Sequence, residues 1–208
     1  MTLPKAGSPI VSNKLRSPRF VLASASPRRR DLLEQIGFVP DEILPADIDE
    51  TPGADELPRL HAARLAREKA VHVSAASPEA AVLGSDTVVA CGRRILPKAE
   101  TEEQALKCLS LLSGRSHRVY TGICLAGPGE SVRERVVETR VKVKRLSTRE
   151  LEHYLAGGEW QGKAGGYAIQ GFFSAYIISI TGSYSSVVGL PLYETANLLK
   201  GAGLKPTL

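Results

Sequence analysis

Segments typical of strands alternate with segments typical of helices along this 208-residue chain, and that alternation limits the folds open to it. Short apolar runs predict strands at residues 20–22, 82–89, 118–126, 132–143 and 173–180, with a further extended segment at 39–48. Amphipathic stretches and capping signals predict helices at residues 26–37, 55–73, 101–112, 147–156 and 191–199. The order is not a strict strand–helix–strand repeat, and Gly127-Pro128-Gly129 predicts a hairpin. We therefore expect an α/β protein with a mixed β-sheet.

The first predicted strand leads into a basic segment, Ser24-Ala25-Ser26-Pro27-Arg28-Arg29-Arg30. Ser26 is a preferred N-cap and Pro27 suits the first helical position, so the arginines fall in the first turn of a helix. A helix N-terminus attracts anions, and arginine binds phosphate oxygens through two N–H groups. Arg29 lies near the middle of the apolar helix face, whereas Arg30 points outward. The segment predicts a phosphate site, with a solvent-exposed basic turn as the alternative.

The length and the cysteine content favour one domain in a reducing compartment. The chain is long enough to bury a core without disulfides, and its three cysteines lack the spacing of a zinc or redox motif. Residues 1–19 lack the apolar core of a signal peptide, and no apolar run is long enough for a membrane helix. We expect a cytoplasmic protein with a flexible N-terminal extension at 1–19 and a single domain at 20–208.

The net charge of +5 favours anionic partners, which include nucleotides, nucleic acids and acidic surfaces. Aromatic residues make up only 5% of the chain, and no basic segment interleaves with them as in a base-stacking surface. This composition makes nucleic acid a weaker expectation than a small anionic ligand.

Two acidic features have the chemistry of a reactive site. Asp86 interrupts the apolar strand around Gly84-Ser85-Asp86-Thr87, so it must be paired, bound to a metal or exposed at a cleft. Its simpler interpretation is a carboxylate that accepts hydrogen bonds from nearby backbone N–H groups. Asp47-Ile48-Asp49-Glu50 offers the oxygens that hard divalent cations prefer, although taken alone it is better explained by an acidic surface turn.

A glycine-rich loop and a long helix complete the set of candidate residues. In the loop at 162–171, Lys163 offers a positive charge. The neighbours of Gln170 predict a tight, partly apolar setting in which its amide suits the edge of a nucleobase. A plain glycine-rich loop is the alternative. On the helix, Arg64 and Glu68 share a stripe with three apolar residues, which predicts an ion pair at the edge of the core. Those apolar residues are Leu57, Leu60 and Val71. Lys69 lies about 100° around the helix from Glu68 and is free to face a cleft.

Taken together, seven segments in order resemble the Maf family of nucleoside triphosphate pyrophosphatases. The segments are Leu22–Arg30, Asp47–Glu50, Arg64–Ala70, Gly84–Val89, Leu112–Gly114, Lys163–Gly171 and Gly182–Pro191. The resemblance implies an elongated mixed sheet flanked by helices, with a central cleft between two lobes, as in inosine triphosphate pyrophosphatases. It also implies hydrolysis of a nucleoside triphosphate to the nucleoside monophosphate and pyrophosphate.

The resemblance further assigns roles to individual residues. It implies that Asp86 accepts a proton from the attacking water. It implies phosphate contacts for Ser24, Arg28, Arg29, Lys69, Lys98 and Lys163. It places Glu50, with Asp86, at a divalent metal, Mg²⁺ or Mn²⁺. The family commonly has Gly-Lys-Pro where this chain has Pro97-Lys98-Ala99, a departure that leaves the lysine in place.

The resemblance also bears on the substrate and on partners. Arg28, Thr87 and Gln170 match the branch that acts on dTTP and UTP, so we expect a pyrimidine nucleotide at these residues. The alternatives are a house-cleaning pyrophosphatase for another nucleotide and a nucleic-acid-binding regulator of cell division. We expect no stable nucleic-acid partner and no membrane contact. The resemblance to the Maf family is compatible with a homodimer.

Overall fold

A seven-stranded mixed sheet forms the centre of the protein in a computed structural model that describes residues 18–129 and 131–207. In chain order, the strands are Phe20–Ala23 (β1), Glu42–Ile43 (β2), Ala81–Cys91 (β3), Arg94–Leu96 (β4), Lys98–Ala99 (β5), Ser116–Gly127 (β6), Ser131–Val143 (β7), Lys163–Ala164 (β8) and Ile177–Thr181 (β9). The main order is β2-β1-β3-β6-β7-β9, with β4 also paired to β3, while β5 and β8 form a separate pair. β1 is parallel to β2 and β3, and the other pairs are antiparallel, which confirms the predicted mixed sheet.

Helices cover both faces of this sheet. They are Pro27–Gln35 (α1), Pro58–Ala75 (α2), Glu102–Leu112 (α3), Thr148–Ala156 (α4), Tyr184–Val188 (α5) and Leu192–Gly201 (α6). On one face, α2 packs through small side chains against β1, β3 and β6. The other face carries two apolar clusters, one around α1 and α6 and one around α3 and α4. These clusters form two lobes on an elongated sheet. No helix in the described ranges is long and apolar enough to cross a membrane.

The close packing of α2 depends on two glycines. A Cβ atom at Gly84 would lie 2.3 Å from the carbonyl oxygen of Ala66, and one at Gly122 would lie 2.2 Å from that of Ala62. Any side chain at either position would push the helix away from the sheet. Glycine is therefore required on β3 and β6 for α2 to reach its observed position.

This packing also corrects the predicted apolar stripe of α2. Leu57, Leu60 and Val71 are 44%, 58% and 42% exposed, so they do not form the core face. The buried face instead contains alanines such as Ala62 and Ala66, which are small enough for the close contact. The helix also begins at Pro58 rather than at residue 55, and Asp55 has a φ of 56°, which no helix residue adopts.

The strand predicted for residues 173–180 is only half correct. Phe172–Tyr176 forms a 3₁₀-helix, and the strand begins at Ile177. A strand would point Phe173 and Tyr176 to opposite faces, whereas a 3₁₀-helix places residues i and i+3 on the same side. Both side chains thereby enter the core, at 0% and 7% exposure. The extended segment at 39–48 is also mostly irregular and contains only the two-residue strand β2.

A gap along one edge of β3 sets the position of the site. The pairing of β1 with β3 ends at Ala23 opposite Gly84, and the pairing of β4 begins at Leu96 opposite Val89. In the described part of the chain, residues 85–88 therefore have no strand partner on this edge. Asp86 and Thr87 lie in this gap.

Candidate active site

A cleft of about 360 Å³ opens over the gap in β3, between the two lobes. One wall comes from α1 and the segment before α6, and the other comes from β5 and the glycine-rich loop. The cleft is lined by all of the site residues expected from the sequence: Ser24, Arg28, Arg29, Glu50, Lys69, Asp86, Thr87, Lys98, Lys163 and Gln170. Segments that are distant in sequence thus meet at one place.

Asp86 and Lys69 form a buried ion pair at the floor of the cleft. Lys69 Nζ lies 2.7 Å from Asp86 Oδ1, and the two residues are 7% and 6% exposed. The same Nζ atom lies 2.5 Å from Glu50 Oε1, so one ammonium group joins both carboxylates. A buried carboxylate is costly without such a partner, which explains how β3 tolerates Asp86.

Glu50 links this floor to the opposite wall. Its other oxygen, Oε2, lies 2.5 Å from Nζ of the exposed Lys98. Partial burial would raise the pKa of Glu50, but hydrogen bonds from Lys69 and Lys98 outweigh that effect and hold the pKa at about 2. Glu50 is therefore ionised near neutral pH. Since β5 contains Lys98 and pairs with β8, the Pro97-Lys98-Ala99 departure still directs the lysine into the cleft.

The loop that contains Glu50 is held to α2 by Arg64. The Arg64 guanidinium donates to Glu56 Oε1 at 2.8 Å and to the carbonyl oxygen of Thr51 at 3.1 Å. The predicted ion pair with Glu68 is confirmed, at 3.1 Å. Arg64 thus ties both the start of the helix and the acidic loop to one point.

The N-terminus of α1 faces the cleft without a side-chain capping hydrogen bond. Ser26 occupies the predicted N-cap position, but its side chain makes no capping hydrogen bond. Ser24 Oγ instead accepts from the backbone N–H of Ser26 at 3.2 Å and from Arg29 Nη1 at 3.0 Å. The N–H of Arg29 donates to the carbonyl oxygen of Ser26 and Pro27 has none, so the N–H of Arg28 is the donor of this turn that suits an anion.

The arginines of α1 differ as their positions predict. Arg29 Nε donates to the carbonyl oxygen of Gly189 at 2.9 Å, which fixes the guanidinium at the cleft. Burial lowers the pKa of Arg29, while Asp86 opposes this shift. Arg28 is half-buried at the cleft wall, and Arg30 is exposed and pairs with Asp31.

Uncharged groups line the side of β3 that faces α5. Thr87 Oγ1 lies 3.2 Å from Thr121 Oγ1, which donates to the carbonyl oxygen of Ser186 at 2.7 Å. Ser85 Oγ donates to the carbonyl oxygen of Gly189 at 3.2 Å. On this side the β3 hydroxyls make neutral hydrogen bonds, and Ser85 shares the Gly189 carbonyl with Arg29.

The glycine-rich loop supplies the remaining cation and amide. Lys163 is half-buried, and burial together with the charge of Arg28 lowers its pKa. Tyr167 of the same loop is buried, with its hydroxyl 2.7 Å from His117 Nε2. Gln170 is exposed at the cleft wall rather than enclosed, so the tight setting expected from its neighbours is wrong.

The sequence reasoning missed the contribution of residues 187–189 and of Thr121. The segment at 182–191 carried part of the family resemblance, but no role was assigned to it. Gly189 acts through its backbone carbonyl, and no side-chain pattern reveals such a contact. Thr121 acts through Thr87, which only the pairing of β3 with β6 brings close.

Comparisons with known proteins found a matching family model, similar sequences and similar solved structures. A family model described as Maf-like protein matches residues 19–202. A Caulobacter vibrioides protein named dTTP/UTP pyrophosphatase is 60% identical over 189 residues, which cover 91% of this chain and 98% of that protein. A Mesorhizobium japonicum protein of the same name is 58% identical, covering 90% of this chain and 93% of that protein. The solved Staphylococcus aureus Ham1 protein aligns with a TM-score of 0.40 at 17% identity, covering 60% of this chain and 71% of that one.

Proposed function

Since this chain belongs to the family of Maf-like proteins, we propose that it hydrolyses dTTP and UTP to the nucleoside monophosphate and inorganic diphosphate, that is, pyrophosphate. The observation that carries the proposal is the position of Asp86, a buried carboxylate at the floor of a cleft whose walls contain cations. Relatives named dTTP/UTP pyrophosphatase support the substrate class. The protein is accordingly a hydrolase of phosphoanhydride bonds.

In the proposed reaction, Asp86 accepts the proton of an attacking water. Its Oδ1 atom already accepts from Lys69, so Oδ2 remains for the water. As the oxygen of water bonds to phosphorus, the bond from phosphorus to the diphosphate breaks and the diphosphate leaves with the electron pair. Such a displacement depends on positioning and on charge stabilisation more than on covalent chemistry.

The cations of the cleft would bind the triphosphate and stabilise the leaving diphosphate. From one wall, the guanidinium groups of Arg28 and Arg29 suit phosphate oxygens, together with Ser24. Lys98 and Lys163 act from the other wall. In the free protein, Glu50 neutralises Lys69 and Lys98, and phosphate oxygens would replace it as their partner.

The divalent cation expected from the sequence remains a proposal. Among the described residues, there is no cluster of three or more metal-ligating side chains, but Glu50 and Asp86 meet at one ammonium group. Two carboxylates with substrate phosphates and water match what Mg²⁺ or Mn²⁺ accepts in nucleotide sites. When bound, the cation would neutralise phosphate charge, and Glu50 and Asp86 would hold it.

The pyrimidine preference is attributed to Arg28, Thr87 and Gln170, which line the same cleft as the Asp86–Lys69 pair. The cytoplasmic location, the homodimer and the lack of stable nucleic-acid binding stay predictions of the sequence.

Pyrophosphate release from a panel of nucleoside triphosphates, with Mg²⁺ or Mn²⁺, tests the function. We expect release from dTTP and UTP, and release from purine nucleotides alone would favour the house-cleaning alternative. Salt-sensitive binding to DNA or RNA without any release would favour the nucleic-acid-binding regulator.

Asp86→Asn tests the assigned base. Turnover should be abolished while the fold and nucleotide binding persist, because Lys69 keeps Glu50 as a partner. Asp31→Asn, an exposed acid on α1, is the matched control and should keep full activity. Retained pyrophosphate release by Asp86→Asn at a wild-type rate would exclude the assignment.

A further inference from the structure

We propose that Thr121, which does not line the cleft, fixes the hydroxyl of Thr87 as a hydrogen-bond acceptor, so that the cleft selects a nucleotide group that donates. The inference rests on the proposed function, because it names what Thr87 recognises in that substrate. Thr121 is a positioning residue in this account, since it acts only through Thr87.

The direction of the hydrogen bonds follows from counting protons. Thr121 is fully buried, and its single hydroxyl proton is donated to the carbonyl oxygen of Ser186 at 2.7 Å. A carbonyl oxygen only accepts, so this bond has one direction. The 3.2 Å contact between the two threonine hydroxyls must therefore be donated by Thr87.

Thr87 then has no proton left for a ligand. A hydroxyl has one donor and two acceptor lone pairs, and the donor of Thr87 is spent on Thr121. Thr87 is partly exposed in the cleft, so its remaining lone pairs are what a substrate meets. The groups that satisfy it are N–H and O–H donors.

As a hydrogen-bond acceptor, Thr87 suits the nucleoside part of a nucleotide rather than its triphosphate. Phosphate oxygens near neutral pH mainly accept hydrogen bonds, so Thr87 is a poor phosphate ligand even though Asp86 is its neighbour. Thymidine and uridine nucleotides offer two kinds of donor, the imide N3–H of the base and a sugar hydroxyl. Cytosine has a lone pair at N3 instead of a proton, and two acceptors facing each other would leave both unsatisfied.

Thr121→Val removes the acceptor that holds the Thr87 proton, and the matching size of valine preserves the volume. Thr87 is then free to rotate and donate. Thr121→Ser keeps the hydroxyl and should behave as the wild type. Thr139→Val is the matched control, because Thr139 is also fully buried and donates to the carbonyl oxygen of Ser183 near the start of α5.

The readout is kcat/KM from pyrophosphate release with dTTP, dCTP and 2′,3′-dideoxythymidine triphosphate. If the base donates, the dTTP-to-dCTP ratio should fall about tenfold in Thr121→Val, mainly because dCTP improves. If the sugar donates, the ratio of dTTP to the dideoxy nucleotide should fall instead. In both cases kcat for dTTP should stay close to the wild-type value.

The inference is overturned if Thr121→Val leaves both ratios within twofold of the wild type, or if Thr139→Val changes them equally. Either result would leave the proposed function intact, because the wild type would still hydrolyse dTTP. A wild type that releases no pyrophosphate from any of the three nucleotides would overturn the proposed function and this inference with it.

Discussion

Asp86 and Thr87 are consecutive residues of β3, yet their side chains meet opposite environments. Asp86 faces α2, where Lys69 and Glu50 make charged contacts. Thr87 faces α5, where its partner is the hydroxyl of Thr121, which in turn donates to the carbonyl oxygen of Ser186.

We call the side of the cleft around Asp86 the ionic half and the side around Thr87 the neutral half, after the contacts of these two β3 side chains. Arg29 also reaches the second side, where it donates to the carbonyl oxygen of Gly189. Because consecutive side chains of a strand point to opposite faces, adjacent residues serve charge stabilisation and substrate selectivity.

The largest loss of stability is expected in the ionic half, when the buried charge of Asp86 loses its partner. Lys69→Met would leave Asp86 buried without its closest cation, so we expect a loss of roughly 3–5 kcal/mol in the free energy of unfolding. Turnover should also be lost. Urea unfolding measures the stability, with Lys107→Met on the exposed surface of α3 as control. Equal stability of the two variants would show that Asp86 does not depend on Lys69.

Acid should instead weaken the neutral half first. His117 shares the α5-facing side of β6 with Thr121, and burial lowers its pKa from 6.5 to about 4. The folded state therefore prefers neutral His117, and its contribution to stability is complete above about pH 6.5 and lost as the pH falls to about 4. From this shift we expect a loss of about 3 kcal/mol between pH 7 and pH 4.

Urea unfolding across that pH range tests this expectation. His117→Gln should remove most of the pH dependence, whereas His72→Gln, an exposed histidine at the end of α2, should keep it. Identical slopes for the wild type and His117→Gln would contradict the assignment.

Moving α2 should affect the ionic half alone, with the smallest loss of stability of these three changes. Gly122 lies opposite Asp86 in the β3–β6 pairing, and an alanine there must displace α2 and with it Lys69. We expect Gly122→Ala to lose roughly 1–3 kcal/mol and to lower kcat, while the preference among nucleotides persists.

Gly157→Ala is the control for this change, because a Cβ atom there makes only ordinary contacts. Thermal unfolding and kcat for dTTP are the measurements. A Gly122→Ala variant with wild-type kcat would show that the helix position does not govern the ionic half.

The sequence was sufficient for most of the fold and for the residues that line the cleft. Helix α4 and its capping box, the hairpin of β6 and β7, and strand β1 lie close to the predicted residues, since each depends on local signals. Local patterns failed where packing decides. The exposed Leu60 and the buried Ala66 reverse the usual order of hydrophobicity, because close contact with glycine favours small side chains.

The contacts between distant segments could not be predicted from local sequence patterns. The list of cations in the cleft followed from the resemblance, but the sharing of Lys69 between Glu50 and Asp86 depends on how a loop lies over the sheet. The pairing of β5 with β8 joins strands of only two residues, which have no periodicity to detect. The hydrogen-bond direction at Thr87 required the position of Ser186, 99 residues further along the chain.

The glycine contacts beneath α2 also define which parts of the protein are open to redesign. Because Gly84 and Gly122 touch backbone atoms of the helix, no rotamer change absorbs an added methyl group, and neither position has a smaller residue to exchange for. Libraries that aim to change the accepted nucleotide should therefore leave α2 and the facing strands untouched. The exposed or half-exposed residues on the two walls, such as Arg28 and Gln170, offer variation without disturbing the helix that holds Lys69.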